Sequence, residues 1–223
     1  VDSKIVSELI RRICWPLLRK EGFTDFSSRT ARRMTADRIE LVNFQSLNSE
    51  IATAIGCTTF SFGINLGVFL TRIPGPPGIV RDQIKHELRP EDYHCHLRRK
   101  LRKTYGIDSL KRDDLWSVTT DGSNAEALIG DAVGKIEKDG LAWFTRYQNS
   151  ETLLALLHSD DSPEDGTWGY GALTSPARRL ITGYVHLMRG ERMQAVEFLS
   201  SIVDYKHFST RAEAISVDIE EAR

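Results

Sequence analysis

Residues 57–70 read CTTFSFGINLGVFL, and the period of this stretch decides the fold class. Phe60, Phe62, Ile64, Leu66, Val68 and Leu70 alternate with Ser61, Gly63, Asn65, Gly67 and Phe69. A helix would repeat its apolar residues every three or four positions, so a period of two predicts a β-strand with one buried face and one more polar face. Gly63 and Gly67 leave room on the second face for a close neighbour, a bulge or a ligand. The rigid loop PGPPG at 74–78 stops the strand.

Working outward, RTARRMT (29–35) and RIELVNFQSL (38–47) flank Ala36-Asp37 and predict a hairpin. On the other side, DYHCHLRRK (92–100) alternates again. As a strand it places Tyr93, Cys95, Leu97 and Leu101 on one face, with Arg99 as the exception. His94, His96, Arg98 and Lys100 fall on the other face, so Cys95 points away from both histidines. The segment leading up to Pro90 shows no strong pattern.

Both ends of the chain read as helical. Ile5, Val6, Leu9, Ile10 and Ile13 recur at helical spacing after Ser3, Pro16 sits in the next turn, and Gly22 ends the segment. Lys4, Glu8, Arg11 and Arg12 supply its solvated face. After Trp116, Ser123 and Glu126 form a capping-box pattern before a stripe of Leu128, Ile129, Val133 and Ile136, which Gly140 is expected to break. A short helix over SETLLALL, capped by Ser150, is followed by the acidic, Gly-rich loop 159–171. Ser175-Pro176 starts a helix that Gly190 interrupts, with a second helix from Glu191 to Val203. The spacing of Gly183, Gly190, Ala195 and Leu199 resembles one tetratricopeptide unit, and a single unit reads as a helical hairpin. The expected architecture is therefore α+β: an N-terminal helix, an antiparallel sheet of about four strands covered by helices, and a C-terminal helical hairpin. Along the chain this divides into a domain over 1–158, a linker or loop over 159–175 and a helical extension over 176–223.

A 223-residue chain with 40% hydrophobic and 27% charged residues can bury a real core. No apolar run approaches the roughly 18 residues that span a bilayer, and the first residues lack a secretory pattern. Three widely spaced cysteines make an odd count, so no disulfide framework is expected and a cytoplasmic setting follows. The net charge of −1 conceals a split of +8 over residues 1–112 and −9 over 113–223. Such a split marks either an anionic partner for the first half or two halves that interleave on folding.

The candidate chemistry concentrates around residues 92–103. His94 and His96 share a strand face and could ligate a metal with His86, Glu87 or Asp92. No CxxC or HExxH completes such a site, and Arg98 and Lys100 oppose a cation there. No metal or other cofactor is expected. Cys95 has no base on its own face, and neither a GxSxG elbow nor a phosphate-binding GxxxxGK[ST] loop occurs, so no catalytic residues are assigned. Arg98, Arg99, Lys100, Arg102 and Lys103, with Arg32, Arg33 and Arg38, could track phosphates while His94 or Phe69 stacks on bases. The polar sheet face of Asn65, His94, His96, Arg98 and Lys100 is the candidate binding surface.

Gly22-Phe23, the segment Asn43 to Gln45, Ile64 to Gly67 and the run Cys95-His96-Leu97-Arg98, in that order, resemble the bacterial family catalogued as domain of unknown function 4304. The resemblance spans roughly residues 4–158 and leaves the C-terminal helices outside. It implies an α+β domain with an antiparallel sheet and brings no activity with it. The expected function is non-enzymatic binding of a protein partner, immunity- or adaptor-like. Nucleic-acid binding through the basic half is the alternative, and a metal-dependent enzyme comes third.

Overall fold

Pro16 has no N–H to donate, so a helix running through it must rearrange the preceding turn. In a computed structural model, which describes residues 3–75, 79–81, 88–104, 106, 110–161, 163–205, 208 and 211–222, the N-terminal helix does this with a π-turn. Helix α1 (Ser3–Leu9) passes through Ile10–Cys14 into α2 (Trp15–Lys20), and the N–H of Trp15 donates to the carbonyl of Ile10, five residues back. The wider turn slows the rotation of side chains about the axis. Every fourth residue (Val6, Ile10, Cys14, Leu18) therefore stays on the buried face. The expected stripe differs for this reason: Ile5 is 42% exposed, and Leu9 and Ile13 are half-buried. Gly22, at φ +84°, closes the segment in a conformation that disfavours any side chain.

The expected α+β class and antiparallel sheet are both present. Strands β1 (Asp25–Ser27), β2 (Thr30–Met34), β3 (Arg38–Ser46) and β4 (Phe62–Leu70) follow in order, with a short helix α3 (Ser49–Ile55) between the last two. A two-residue ribbon pairs β5 (Val80–Arg81) with β6 (Leu88–Arg89), and β7 (Leu97–Lys100) completes the main sheet in the order β1-β2-β3-β4-β7. The sheet thus has five strands where about four were expected. Strand β4 departs from the sequence reading in one respect: all nine of its residues are buried, so it has no polar face. A central strand covered on both sides needs no alternation of burial. The second correction concerns DYHCHLRRK. Residues Asp92–His94 form a 3₁₀ turn, and the strand begins only at Leu97. Glu91 caps that turn reciprocally with His94, which competes with extension.

Helix α4 (Ala125–Lys135) starts after Asn124, without a side-chain cap; Ser123 bonds Asp121 instead of forming the expected capping box. The helix continues through a π-turn at Ile136–Gly140 into α5 (Leu141–Gln148). Gly140 therefore does not break it. A Cβ there would meet the Leu66 and Leu101 methyls at 3.5 and 3.6 Å, so glycine lets the helix lie close to the sheet. Helix α6 (Ser150–His158) is capped by Asn149, one residue before the expected Ser150. Helices α7 (Pro176–Met188), α8 (Arg192–Ser200) and α9 (Ala212–Ala222) form the C-terminal part. Ser175 caps α7 as expected, and a Cβ on Gly183 would sit 2.7 Å from Leu199, which is why α7 and α8 can pack so closely. The third helix, α9, was not read from the sequence. No helix among the described residues is long and apolar enough to cross a membrane.

The chain forms two compact units interleaved in sequence: Val1–Thr35, Glu40–Gly67 and Arg99–Phe144 in the first, and Ala36–Ile39, Val68–Arg98 and Thr145–Arg223 in the second. The first carries 16 Lys+Arg against 14 Asp+Glu, the second 14 against 17. Interleaving therefore dissolves most of the charge split between the halves. The core of the first unit is a ring cluster: Phe62 stacks on Trp116 at 5.8 Å, Phe44 lies 5.6 Å from Phe62, and Trp15 lies 5.9 Å from Phe44. Ring pairs of this kind add about 0.5–1.5 kcal/mol each beyond their buried area. In the second unit, buried Arg178 ties the ends of loop 159–171 by donating to the carbonyls of Ser159 and Gly171.

Candidate functional site

The five residues of the candidate surface are divided between the two units. Asn65 and Lys100 belong to the first unit, and His94, His96 and Arg98 to the second. Asn65 is buried and donates to Gln45 Oε1 at 2.8 Å. Lys100 lies 3.6 Å from Asp114, a carboxylate that Arg112 already holds below its usual range by direct hydrogen bonding. His94 accepts the N–H of Glu91 through Nδ1 at 3.1 Å, and burial lowers its pKa against the pull of Glu91 and Asp92. The Nδ1 of His96 accepts the N–H of Leu70 at 3.0 Å. The residue is half-buried, and burial, with Arg211 adding, pushes its pKa down to about 3. His96 is thus a neutral ring spliced into the backbone bonding of β4. Of the proposed third ligands, His86 and Glu87 lie outside the described residues, and Asp92 pairs with Arg98. Among the described residues no three His, Cys, Asp or Glu side chains gather as a metal site would require.

The cations proposed to track phosphates have partners within the chain, although Arg102 and Asp113 pair at the surface. Arg32 pairs with Asp25, Arg33 with buried Glu40, Arg38 with Asp37, and Arg102 with Asp113. Arg99 donates to the carbonyl of Asp139 and Lys103 to that of Leu110. A buried cation already bonded to a carboxylate or carbonyl offers less to a phosphate than a free one.

Arg98 instead anchors an aromatic patch in the second unit. Its guanidinium lies 3.9 Å from the Trp168 ring centroid and 3.2 Å from Asp92. The backbones of Arg98 and Trp168 exchange both hydrogen bonds, 2.7 and 2.8 Å, so loop 159–171 adds a bridge to β7. Trp168 is 48% exposed, and Tyr93, which follows Asp92 and packs on His94, is 66% exposed. A cleft of about 330 Å³ adjoins Trp168, bordered by Asp160, Asp161, Tyr170 and Leu173. Sequence reading missed Trp168 and Tyr93 because one sits in a loop and the other was placed on a buried strand face.

The first unit carries a different feature. Lys4, Ser7, Arg11, Trp15 and Arg19 follow at steps of three or four residues and line one wall of a groove of about 470 Å³, with Phe26 and Ser28 opposite. Ser28 holds φ at +36° in the β1–β2 turn, and the adjacent buried Arg29 donates to Ser7 at 3.2 Å. Trp15 forms a floor that is only 3% exposed, and Arg19 lies across Phe26 at 4.7 Å. Among the described residues no acidic side chain lines the groove.

Neither Cys14 nor Cys95 is poised for nucleophilic attack. Burial pushes the Cys14 thiol up to about 12, which keeps it protonated. Cys95 is buried, and its Sγ donates to the carbonyl of Glu91 at 3.6 Å.

Residues 14–146 match the family model described as domain of unknown function (DUF4304), more than half of the 223-residue chain. No curated protein and no solved structure matches.

Proposed function

The chain belongs to the DUF4304 family, whose description assigns no activity, and from that premise we propose that it is a non-enzymatic protein-binding domain, immunity- or adaptor-like in its mode of action. The observation that carries this reading is the patch of Trp168 and Tyr93 at the two ends of the Arg98–Asp92 pair. Trp, Tyr and Arg are the residues that dominate binding energy at protein interfaces, because they bury large rigid surfaces at small entropic cost. Here the arginine is already oriented by Asp92 and Trp168, so little freedom is lost on docking. The roles found for His96, Cys14 and Cys95 support the same reading, since each is engaged in packing or backbone bonding.

The test is capture from the native host lysate by wild-type and Trp168→Ala protein, with and without nuclease. The backbone bridge to Arg98 survives this substitution, so the loop keeps its anchor. The reading expects one stoichiometric protein that resists nuclease and whose recovery falls about 30-fold in the variant, the loss of one aromatic anchor of about 2 kcal/mol. Equal recovery by both proteins would remove the patch from the argument. A signal lost with nuclease would favour nucleic-acid binding.

A further inference from the structure

We propose that the groove between the N-terminal helix and the β1–β2 turn binds an extended acidic segment of a partner protein. Three observations lead there. First, the wall carries three cations in register: Lys4, Arg11 and Arg19 are seven and eight residues apart. At 1.5 Å per residue, they stand about 11 Å from each other along the axis. The π-turn after Leu9 keeps them on one face, just as it keeps Val6, Ile10, Cys14 and Leu18 on the next. A row of positive charge about 22 Å long suits a linear anion better than a compact one.

Second, two of these cations lack the internal partners that occupy the arginines of the sheet. Arg11 donates only to the carbonyl of Ser7, one turn back, and Arg19 rests on the Phe26 ring; among the described residues neither is in an ion pair. Their side chains are exposed and carry their charge at the mouth of the groove.

Third, the groove is ill suited to a nucleic acid. Single strands bind through bases stacked on open ring faces. Trp15 is sealed into the core, and Arg19 already covers Phe26. An acidic peptide needs no open ring face. Wound as an extended polyproline-type helix, with three residues per turn and about 3.1 Å per residue, it presents a carboxylate about every 9 Å on one face, near the cation spacing, when acidic residues recur at every third position. Ser7 and Ser28 then flank its backbone, and the apolar edge of Phe26 receives an intervening side chain.

This inference rests on the protein-binding reading but on different residues, so the two can fail separately. The experiment titrates full-length protein with a fluorescent peptide of about ten residues bearing Glu at every third position. A lysine peptide of the same pattern and an oligothymidylate of equal charge serve as comparisons. Fluorescence polarisation should show saturable binding of the glutamate peptide only. Arg11→Glu and Arg19→Glu should each weaken it about tenfold or more, the size of one charge-assisted hydrogen bond; Arg11→Glu should leave thermal melting unchanged, and Arg19→Glu, which gives up its contact with Phe26, should lower it slightly. Trp168→Ala should leave peptide affinity unchanged. Peptide binding that is absent, or indifferent to both charge reversals, overturns the inference and leaves the Trp168 patch standing. Tighter binding of the oligothymidylate overturns the choice of partner.

Discussion

The groove of the first unit and the patch of the second use the same residue types in opposite arrangements. In the groove the rings are sealed or covered and the arginines reach solvent; in the patch the arginine is paired and the rings reach solvent. Counting aromatic and basic residues would make the two regions look alike. What separates them is which partner of each arginine–ring contact faces water. A surface whose charge is outward recognises by Coulomb attraction, and one whose rings are outward recognises by apolar burial.

The comparison can be broken or sharpened in several ways. The largest effect is expected from Gly183→Ala, which forces a methyl into Leu199 at 2.7 Å and should lower the melting stability by about 2 kcal/mol. Helices α7 and α8 belong to the second unit, so glutamate-peptide binding at 25 °C should persist; its loss would show that the groove depends on their packing. Next comes salt. Raising it from about 0.05 to about 0.5 M shortens the Debye length from about 14 to about 4 Å and should cut peptide affinity roughly tenfold. Capture through Trp168 should change by less than about twofold over that range, and equal losses would erase the distinction drawn here.

Acid acts on the second unit through His96. Its folded pKa of about 3 lies below the ordinary 6.5, so between those values the unfolded chain takes up a proton that the fold refuses. Stability therefore falls as pH drops below 6.5, by about 1 kcal/mol at pH 5.5. His96→Asn, which keeps an acceptor for the Leu70 N–H, should flatten that slope in denaturant titrations. An unchanged slope would mean that other groups carry it. The smallest effect is chemical: at pH 8 a thiol reagent should label half-buried Cys57 and spare Cys14 and Cys95 until the protein unfolds. Labelling of Cys14 in the folded protein would show that the helix under the groove opens.

The sequence revealed the sheet more readily than the surfaces. Alternation from Phe60 to Leu70 located β4 because a strand repeats its facing every two residues, and the Ser175 cap and Gly183 foretold α7 and its close neighbour. Alternation failed at 92–96 because Glu91 and His94 close a 3₁₀ turn by side-chain bonds that compete with extension, a contest that hydropathy does not register. The burial of both faces of β4 depends on what covers the sheet, which a single strand's sequence does not encode. Lys4 and Arg11 were read as a solvated face, and solvated they are. Their alignment with Trp15 and Arg19 depends on the π-turn, for which Pro16 was the only visible cue. Arg32 and Arg33 looked like part of a basic strip because their carboxylate partners, Asp25 and Glu40, are matched to them only once the chain folds, whereas Asp37, the partner of Arg38, is its neighbour in sequence.

The interleaving of the two units has a consequence in time. The chain passes from one to the other between Gly67 and Val68, in the middle of β4, and the second unit draws on both Ala36–Ile39 and the final Thr145–Arg223. During synthesis the first unit has all its residues once Phe144 emerges, while an early piece of the second waits for a closing segment more than a hundred residues later. No single cut releases either unit whole. Pairings across such separations are slow to form, and the strand that serves both units is a natural point of commitment for the whole chain.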